Sequence, residues 1–240
     1  MVSGLNRMHV SHRMMVIALF ALAFAVRILF LFHLRESPYF DNMIVDAASY
    51  DQWAQRIAAG DVWGSRVFYQ SPLYPYFLGL VYSIVGHDYF AARLIQALIG
   101  AGNVTLLCVL SMRLFSPRAG LLAGLIAALY GTLIFQDLML LKSVIVIFFI
   151  LLSFLFLERA FARDSRKTLL VSGVLYGIAI CGRGNLLFAV PLFLIWLVVR
   201  NRTAASSQAR FLFVPAIVFL LGTALAIAPV TLRNKVIGDD

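Results

Sequence analysis

The chain has 240 residues, of which 62% are hydrophobic and 13% are charged, and its formal net charge is +9. Soluble domains carry about a quarter charged residues, so this composition excludes an ordinary soluble protein and indicates a polytopic membrane protein. The positive charge does not predict a nucleic-acid partner, because the basic residues cluster at the ends of the apolar segments.

Apolar segments of about twenty residues predict membrane-spanning helices, and they recur along most of the chain. The first, 14–34, follows a basic head, 1–13, and no small-residue cleavage site comes after it, so we interpret it as an uncleaved signal anchor. The expected fold is an all-α membrane bundle of about seven transmembrane helices. The six further spans within 89–230 are 89–112, 119–135, 143–160, 168–182, 186–199 and 211–230.

The distribution of basic residues predicts how these spans cross the membrane. With the N-terminus in the cytoplasm, more than half of the 20 Lys and Arg residues fall in short cytoplasmic segments, as the positive-inside rule requires. The loop 35–88 and the last residues, 231–240, then lie on the extracytoplasmic side. We therefore expect a multi-pass protein whose longest loop faces outward.

Two pairs of glycines, Gly120 with Gly124 and Gly173 with Gly177, are each four residues apart in predicted spans. Small residues at this spacing let two helix backbones approach closely. We assign these glycines to helix packing and expect no chemical role for them.

The long loop contains two segments that we expect to lie on the membrane surface as helices. In DAASYDQWAQRIAA, residues 46–59, the apolar positions follow helical spacing, which places Tyr50 and Trp53 at headgroup depth and turns Asp51 away. The second segment, 73–85, is apolar but carries prolines at its start. We therefore expect it to be interrupted, and to lie in the interface or re-enter the membrane.

Asp46, at the start of the first of these helices, has two interpretations. An Asp at this position commonly caps a helix by accepting hydrogen bonds from first-turn amides. The alternative is a general base that removes a proton from an incoming hydroxyl. Aromatic and basic residues predicted at the same leaflet favour the second interpretation, and both stay open at this point.

Five basic residues are predicted near the outer leaflet. They are Arg27 in the outer half of the first span, Arg93 one turn into the second, Lys142 at the start of the fourth, Arg183 in a glycine-rich turn, and Arg233 after the last span. Charges at membrane depth are costly and indicate function by default. Several cations together suit a phosphate or pyrophosphate. For Lys142 and Arg93, contact with ordinary lipid phosphates is an equal alternative.

Five segments, taken in order, resemble the GT-C class of integral-membrane glycosyltransferases. They are DAASYDQWAQRIAAGD, FYQSPLYPYFLGLVYSIVG, AARLIQALIGA, GRGNLLFAVPLFL and APVTLRNKVIG. The resemblance extends from Val26 to Gly238, and the nearest group is the bacterial branch related to protein mannosyltransferases and aminoarabinose transferases. It implies a multi-pass protein of the bacterial inner membrane with an extracytoplasmic active site.

The resemblance implies an inverting transfer of a sugar from a polyprenyl-phosphate donor to an acceptor hydroxyl or amine, with membrane lipids as further partners. The family's acid in the first outer loop matches Asp46, which becomes the candidate catalytic residue. The candidate residues for binding the donor phosphate or substrate are Arg27, Arg66, Tyr69, Gln70, Lys142, Arg183 and Arg233. Gln70 stands where aminoarabinose-type relatives have a lysine, so we expect Lys142 to supply that phosphate-binding charge.

A second class of function stays open alongside the transferase. A non-catalytic binding or transport protein for polyprenyl-linked sugars would use the same cations and aromatic residues but would not need the charge of Asp46.

The last quoted segment contains the pair Arg233–Asn234, and relatives continue beyond the matching pair. We therefore expect 231–240 to begin a missing extracytoplasmic continuation.

No metal cofactor is predicted. The acids around Asp46 form no compact Asp-x-Asp cluster, since Ala47 follows it directly. His9 and His12 are three residues apart in the head, but two imidazoles in such a segment make a poor metal site.

Overall fold

The computed structural model describes residues 2–38, 40–204 and 213–238, with the side chains of 12–38, 40–199 and 213–238. Within these ranges it contains no strand, which confirms the all-α expectation. Residues 211–212 of the last predicted span, Met1 and 239–240 lie outside the described residues. The helices are α1 Val2–Arg35, α2 Val45–Ala58, α3 Leu73–Val85, α4 Tyr89–Leu114, α5 Pro117–Leu129, α6 Gly131–Leu138, α7 Ser143–Ala162, α8 Arg166–Gly182, the 3-10 helix Gly184–Ala189, α9 Val190–Ala204 and α10 Val214–Gly238.

Four of these helices are long and apolar enough to cross a membrane: α1 from His12 onward, α4, α7 and α10. A fifth candidate is the pair α5 and α6, which is bent by 61°, whereas the sequence predicted one continuous span, 119–135. The bend arises at Tyr130, whose extended backbone (φ −73°, ψ 106°) ends one helix and precedes the next. These five candidates coincide with five of the predicted spans.

The other two predicted spans correspond to shorter helices. Span 168–182 is α8, whose 17 residues reach about 25 Å at 1.5 Å per residue. Span 186–199 begins in the 3-10 helix and continues in α9. A hydrocarbon core of about 30 Å needs roughly twenty helical residues, so the count of seven spans stays a prediction.

The described residues form two compact units, one drawn from 1–62 and 75–151 and the other from 63–74 and 152–240. In the first unit α1, α4, α5 and α6 all pack against one another. In the second unit α8 and α9 pack against α10, and the 3-10 helix contacts α8 and α9. The candidate residues are divided between these two units.

The glycine pairs lie at the closest helix contacts. A Cβ added at Gly173 or Gly177 in α8 would clash with backbone atoms of α10. In the first unit, a Cβ at Gly120 would clash with the backbone of α4, and one at Gly124 would clash with Leu19 of α1. The packing role predicted for both pairs is confirmed.

The two helices of the long loop, α2 and α3, form as expected, but α2 buries residues that were predicted to be accessible. Tyr50, predicted at headgroup depth, is fully buried, and Asp51, predicted to face away, is 5% exposed. Both predictions were wrong because α2 packs against protein on this side: a Cβ at Gly79 of α3 would lie 2.8 Å from Ile57 of α2. The helix α3 is also uninterrupted, since Pro75 lies in its first turn, where the amides have no helical partner to lose.

Polar side chains of α4 bind the C-terminal end of α6. Gln96 donates to the carbonyl oxygens of Asp137 (3.0 Å) and Met139 (2.7 Å), and Arg93 donates to that of Leu138 (3.1 Å). Carbonyls at a helix end lack partners within the helix, and burying one unsatisfied costs about 1–3 kcal/mol. These bonds therefore fix the end of α6, and Asp137 with it, against α4.

Candidate functional site

Asp46, the candidate base, lies in the first turn of α2 with its side chain exposed. The N-cap of α2 is Ile44, which makes no side-chain capping bond, so Asp46 is not the N-cap. Its negative charge still interacts favourably with the positive end of the helix dipole. The carboxylate is thus presented at the surface of the first unit.

The residue before Asp46 has a strained backbone. Val45 has a φ of 51°, in the left-handed region that β-branched residues rarely adopt. This conformation costs about 1–2 kcal/mol, and the Val45 side chain is 82% exposed, so burial offsets little of it. Strain of this kind concentrates at functional sites, which directs attention to the start of α2.

We expect Val45→Asn to raise the unfolding temperature of the purified chain in detergent by about 2–4 °C. The reason is that Asn accepts a left-handed backbone more readily than valine. The matched control is Val62→Asn, because Val62 is also exposed but has a negative φ, and it should leave the temperature unchanged. A lower unfolding temperature for Val45→Asn would contradict the strain at this position.

The second acid of α2, Asp51, is surrounded by hydrogen-bond donors. Tyr82 and Tyr89 donate their hydroxyls to it at 2.7 and 3.1 Å, and Gln55 donates its side-chain amide at 2.7 Å. The Nε2 atom of His87 lies 2.9 Å from the same carboxylate. These donors satisfy a buried charge that would otherwise be costly.

The donors of Asp51 come from α2 itself, α3, the turn after α3, and the first residue of α4. Asp51 therefore joins three helices, and it fixes the helix that carries Asp46. The helical spacing of the sequence did not predict this cluster, because that spacing places Asp51 on the polar side of α2. One feature of the sequence could have indicated the cluster. Tyr82, His87 and Tyr89 lie within eight residues of one another, and each side chain can donate a hydrogen bond to a carboxylate.

Arg27 lies in α1 and is 1% exposed. Its Nε and Nη2 donate to one carboxylate oxygen of Asp137 in α6, at 2.9 and 2.6 Å, and its Nη1 donates to the carbonyl of Ala23. Gly100 of α4 provides the space, since an added Cβ would clash with Asp137 and lie 2.7 Å from Arg27 Nε. Arg27 is thus half of a buried ion pair, and its contact with a donor phosphate stays a prediction.

Lys142 and Arg183 have different surroundings from Arg27. Lys142 is half-buried just before α7, and Arg183 is exposed at the end of α8. Neither side chain makes a hydrogen bond or ion pair within the described part of the chain. The Arg183 backbone is extended (φ −148°), and neither Gly182 nor Gly184 has a positive φ. Both cations are available to an anionic ligand.

Arg233, near the end of α10, is 5% exposed and holds a loop of its own unit. Its Nε and Nη2 donate to the carbonyl of Trp63 at 3.0 and 2.5 Å, and its guanidinium carbon lies 3.6 Å from the centre of the Phe68 ring. Its Nη1 donates to Asn234 at 2.8 Å. These contacts hold the loop against α10, and a contact of Arg233 with a donor phosphate stays a prediction.

The remaining candidates lie on the segment that Arg233 holds. Arg66 and Tyr69 are exposed, Tyr69 by 78%, and Gln70 is half-buried. A shared contact of all the candidates with one donor phosphate stays a prediction. The first unit contains Asp46, Arg27 and Lys142, and the second contains Arg66, Tyr69, Gln70, Arg183 and Arg233.

Metal-ligating residues are scattered in the structure. Among the described side chains, no three His, Cys, Asp or Glu residues lie close enough together to hold a metal ion. His9 lies outside the described side chains.

Comparison with known proteins places the chain in a family. No curated protein matches it. The family model described as dolichyl-phosphate-mannose-protein mannosyltransferase matches residues 69–230, which is more than half of the chain and includes Lys142 and Arg183. Asp46 lies upstream of the matched range. The chain therefore belongs to the dolichyl-phosphate-mannose-protein mannosyltransferase family, and membership implies a multi-pass membrane glycosyltransferase that uses a lipid-linked sugar donor.

Proposed function

We propose that the chain is an inverting glycosyltransferase that moves a sugar from a polyprenyl-phosphate donor to an acceptor hydroxyl or amine at the extracytoplasmic face of the membrane. Family membership supports the lipid-linked donor. The observation that carries the catalytic part is the exposure of Asp46 on a helix that Asp51 fixes. Of the two acids of α2, only Asp46 faces outward from the helix and its neighbours.

In this mechanism Asp46 acts as a general base. It accepts the proton of the acceptor hydroxyl while the acceptor oxygen forms a bond to the anomeric carbon. The bond between that carbon and the donor phosphate oxygen breaks on the opposite side of the sugar, and the electron pair leaves with the phosphate. One displacement of this kind inverts the anomeric centre, so no protein nucleophile is needed.

The departing polyprenyl phosphate gains negative charge, which a nearby cation stabilises. We assign this role in the first unit to Lys142, because its ammonium has no partner among the described side chains. Arg27 of the same unit is already paired with Asp137. In the second unit Arg183 is the corresponding candidate, because its side chain is exposed.

The donor is tested by mass spectrometry of the lipids that co-purify with the full chain from bacterial membranes. We expect polyprenyl phosphate or its sugar conjugate with the wild type, and about tenfold less with Lys142→Met, because a charge-assisted hydrogen bond contributes about 1.5–3 kcal/mol. The substitution keeps the length of the side chain and removes its charge.

The matched control is Lys167→Met, since Lys167 is exposed in the first turn of α8 and is predicted on the cytoplasmic side. It should retain the polyprenyl lipid. Recovery of bulk phospholipid alone with the wild type would contradict a polyprenyl donor. Equal recovery with wild type and Lys142→Met would remove Lys142 from the proposed phosphate contact and leave the donor assignment standing.

A further inference from the structure

The segment 63–69 is fastened to the C-terminal part of α10. Besides the bonds from Arg233 to the Trp63 carbonyl, the side-chain oxygen of Asn234 accepts from the backbone amide of Phe68 at 3.1 Å. Gly64 adopts a φ of 66°, and a Cβ there would lie 3.0 Å from Arg233 Nη2. The segment is therefore held at both of its ends by two consecutive residues of one helix.

The position of these two residues along α10 sets the depth of the segment. The helix is a candidate membrane span that begins at Val214. At 1.5 Å per residue, Arg233 lies about 28 Å further along it, which is close to the thickness of the hydrocarbon core, about 30 Å. Val67 lies beside the last helical residue, since a Cβ at Gly238 would be 3.1 Å from its side chain. The attachment therefore belongs at one edge of the hydrocarbon core.

The side chains that the segment presents suit that depth. Trp63 is 62% exposed, Val67 is 47% exposed and Tyr69 is 78% exposed, although their backbone is fixed. Trp and Tyr concentrate at membrane–water interfaces, where an apolar ring meets a polar edge. Arg66, also exposed, has a long apolar stem and a charged end that reaches towards lipid phosphates.

The aromatic residues first expected at headgroup depth are a different set. Tyr50 is fully buried, and the Trp53 ring packs edge-on against Tyr76 at 6.3 Å within the first unit. Tyr50 therefore has no surface for lipid, and Trp53 is half-buried, so only part of its ring is accessible. Trp63 and Tyr69 instead have exposed rings on a fixed backbone at the end of a span.

We propose that residues 63–69 form an interfacial anchor, in which Trp63, Val67 and Tyr69 insert into the headgroup region of the bilayer. We expect these side chains to contact lipid, because the anchor is attached to the end of α10, an apolar helix that the bilayer would surround. The anchor gives Arg66 and Tyr69 a lipid contact that needs no bound substrate. It rests on neither Asp46 nor the proposed donor.

The test uses Trp63 as its own probe, because the chain has only three tryptophans. With Trp53→Phe and Trp196→Phe in the full chain, Trp63 is the sole indole. The protein is reconstituted in phosphatidylcholine vesicles whose acyl chains are brominated near the headgroup, and separately in unbrominated vesicles with aqueous acrylamide. We expect brominated lipid to lower Trp63 emission at least twofold and acrylamide to have little effect.

Two further variants serve as controls. Adding Trp63→Phe to the Trp53→Phe/Trp196→Phe chain removes the last indole and gives the background emission. The variant Arg233→Gln, which loses the bonds to the Trp63 carbonyl, should reduce quenching by lipid and increase quenching by acrylamide. Emission that acrylamide quenches strongly and brominated lipid does not quench would overturn the anchor and show that Trp63 faces water or a soluble ligand.

A second measurement avoids dependence on the tryptophan replacements. Val67→Cys is spin-labelled after Cys108→Ser and Cys181→Ser remove the two native cysteines. In plain phosphatidylcholine vesicles the label should be more accessible to oxygen, which partitions into lipid, than to a water-soluble nickel complex. The opposite ratio would overturn the anchor. Neither experiment supplies a sugar donor, so failure here leaves the test of Asp46 unaffected.

Discussion

Asp46→Asn is expected to lower the rate of sugar transfer by at least about 100-fold while the chain folds normally, because Asn has the same shape but cannot accept the acceptor's proton. The folding part of this expectation follows from the structure. Asp46 is exposed and is not the N-cap of α2, and asparagine has nearly the same size, so we expect the weakened interaction with the helix dipole to cost only about 0.3–1 kcal/mol.

The measurement is the release of polyprenyl phosphate from polyprenyl-phosphate mannose by membranes that contain the full chain, with other polyprenyl-linked sugars tried in parallel. The matched control is Asp41→Asn, an exposed acid of the same loop, which should keep the wild-type rate. Unchanged release by Asp46→Asn would remove Asp46 from the mechanism. Donor binding without release by any form, wild type included, would favour the non-catalytic binding or transport protein.

Asp137→Leu is expected to lower the free energy of unfolding by about 3–5 kcal/mol, because it leaves the buried guanidinium of Arg27 without its counter-ion. Arg27 of α1 is 1% exposed, and its guanidinium lies beside Gly100 of α4 and Asp137 of α6, so the substitution leaves a buried charge without its carboxylate. Thermal and denaturant unfolding of the purified chain in detergent measure this effect.

The double variant Arg27→Leu/Asp137→Leu separates the ion pair from simple packing. Buried ion pairs replaced together by apolar residues are often neutral, so we expect the double variant to recover most of the stability lost by Asp137→Leu. Asp41→Leu, an exposed acid changed to the same residue, should have little effect. A double variant less stable than Asp137→Leu alone would show that Arg27 contributes through contacts other than Asp137.

The pattern of apolar residues predicted most of the helices but not the bend at Tyr130. Hydropathy records how apolar a stretch is, and 119–135 is apolar throughout, so it indicated one span. The position of α6 after the bend involves residues distant in sequence, since Gln96 and Arg93 of α4 bind the carbonyls at its C-terminal end. Likewise Arg27 and Asp137 are 110 residues apart, and no local signal connects them.

At the candidate site, the helix spacing of 46–59 placed Asp46 correctly at the start of a helix. The same spacing assigned Asp51 to a solvated side, because carboxylates are mostly exposed. Its burial depends on Tyr82 and Tyr89, which a single helical segment cannot reveal. A helix face can be polar and still be buried when its partner supplies matching donors.

The hydrogen bonds that Asp51 receives also determine how α2 can move. A motion that carried α2 away alone would separate a buried carboxylate from Tyr82, His87 and Tyr89 at once, and each unmatched bond to a charged group costs about 1.5–3 kcal/mol. We therefore expect any displacement of α2, and of Asp46 with it, to carry α3 and the start of α4 along. In amide hydrogen exchange, these three segments should open together.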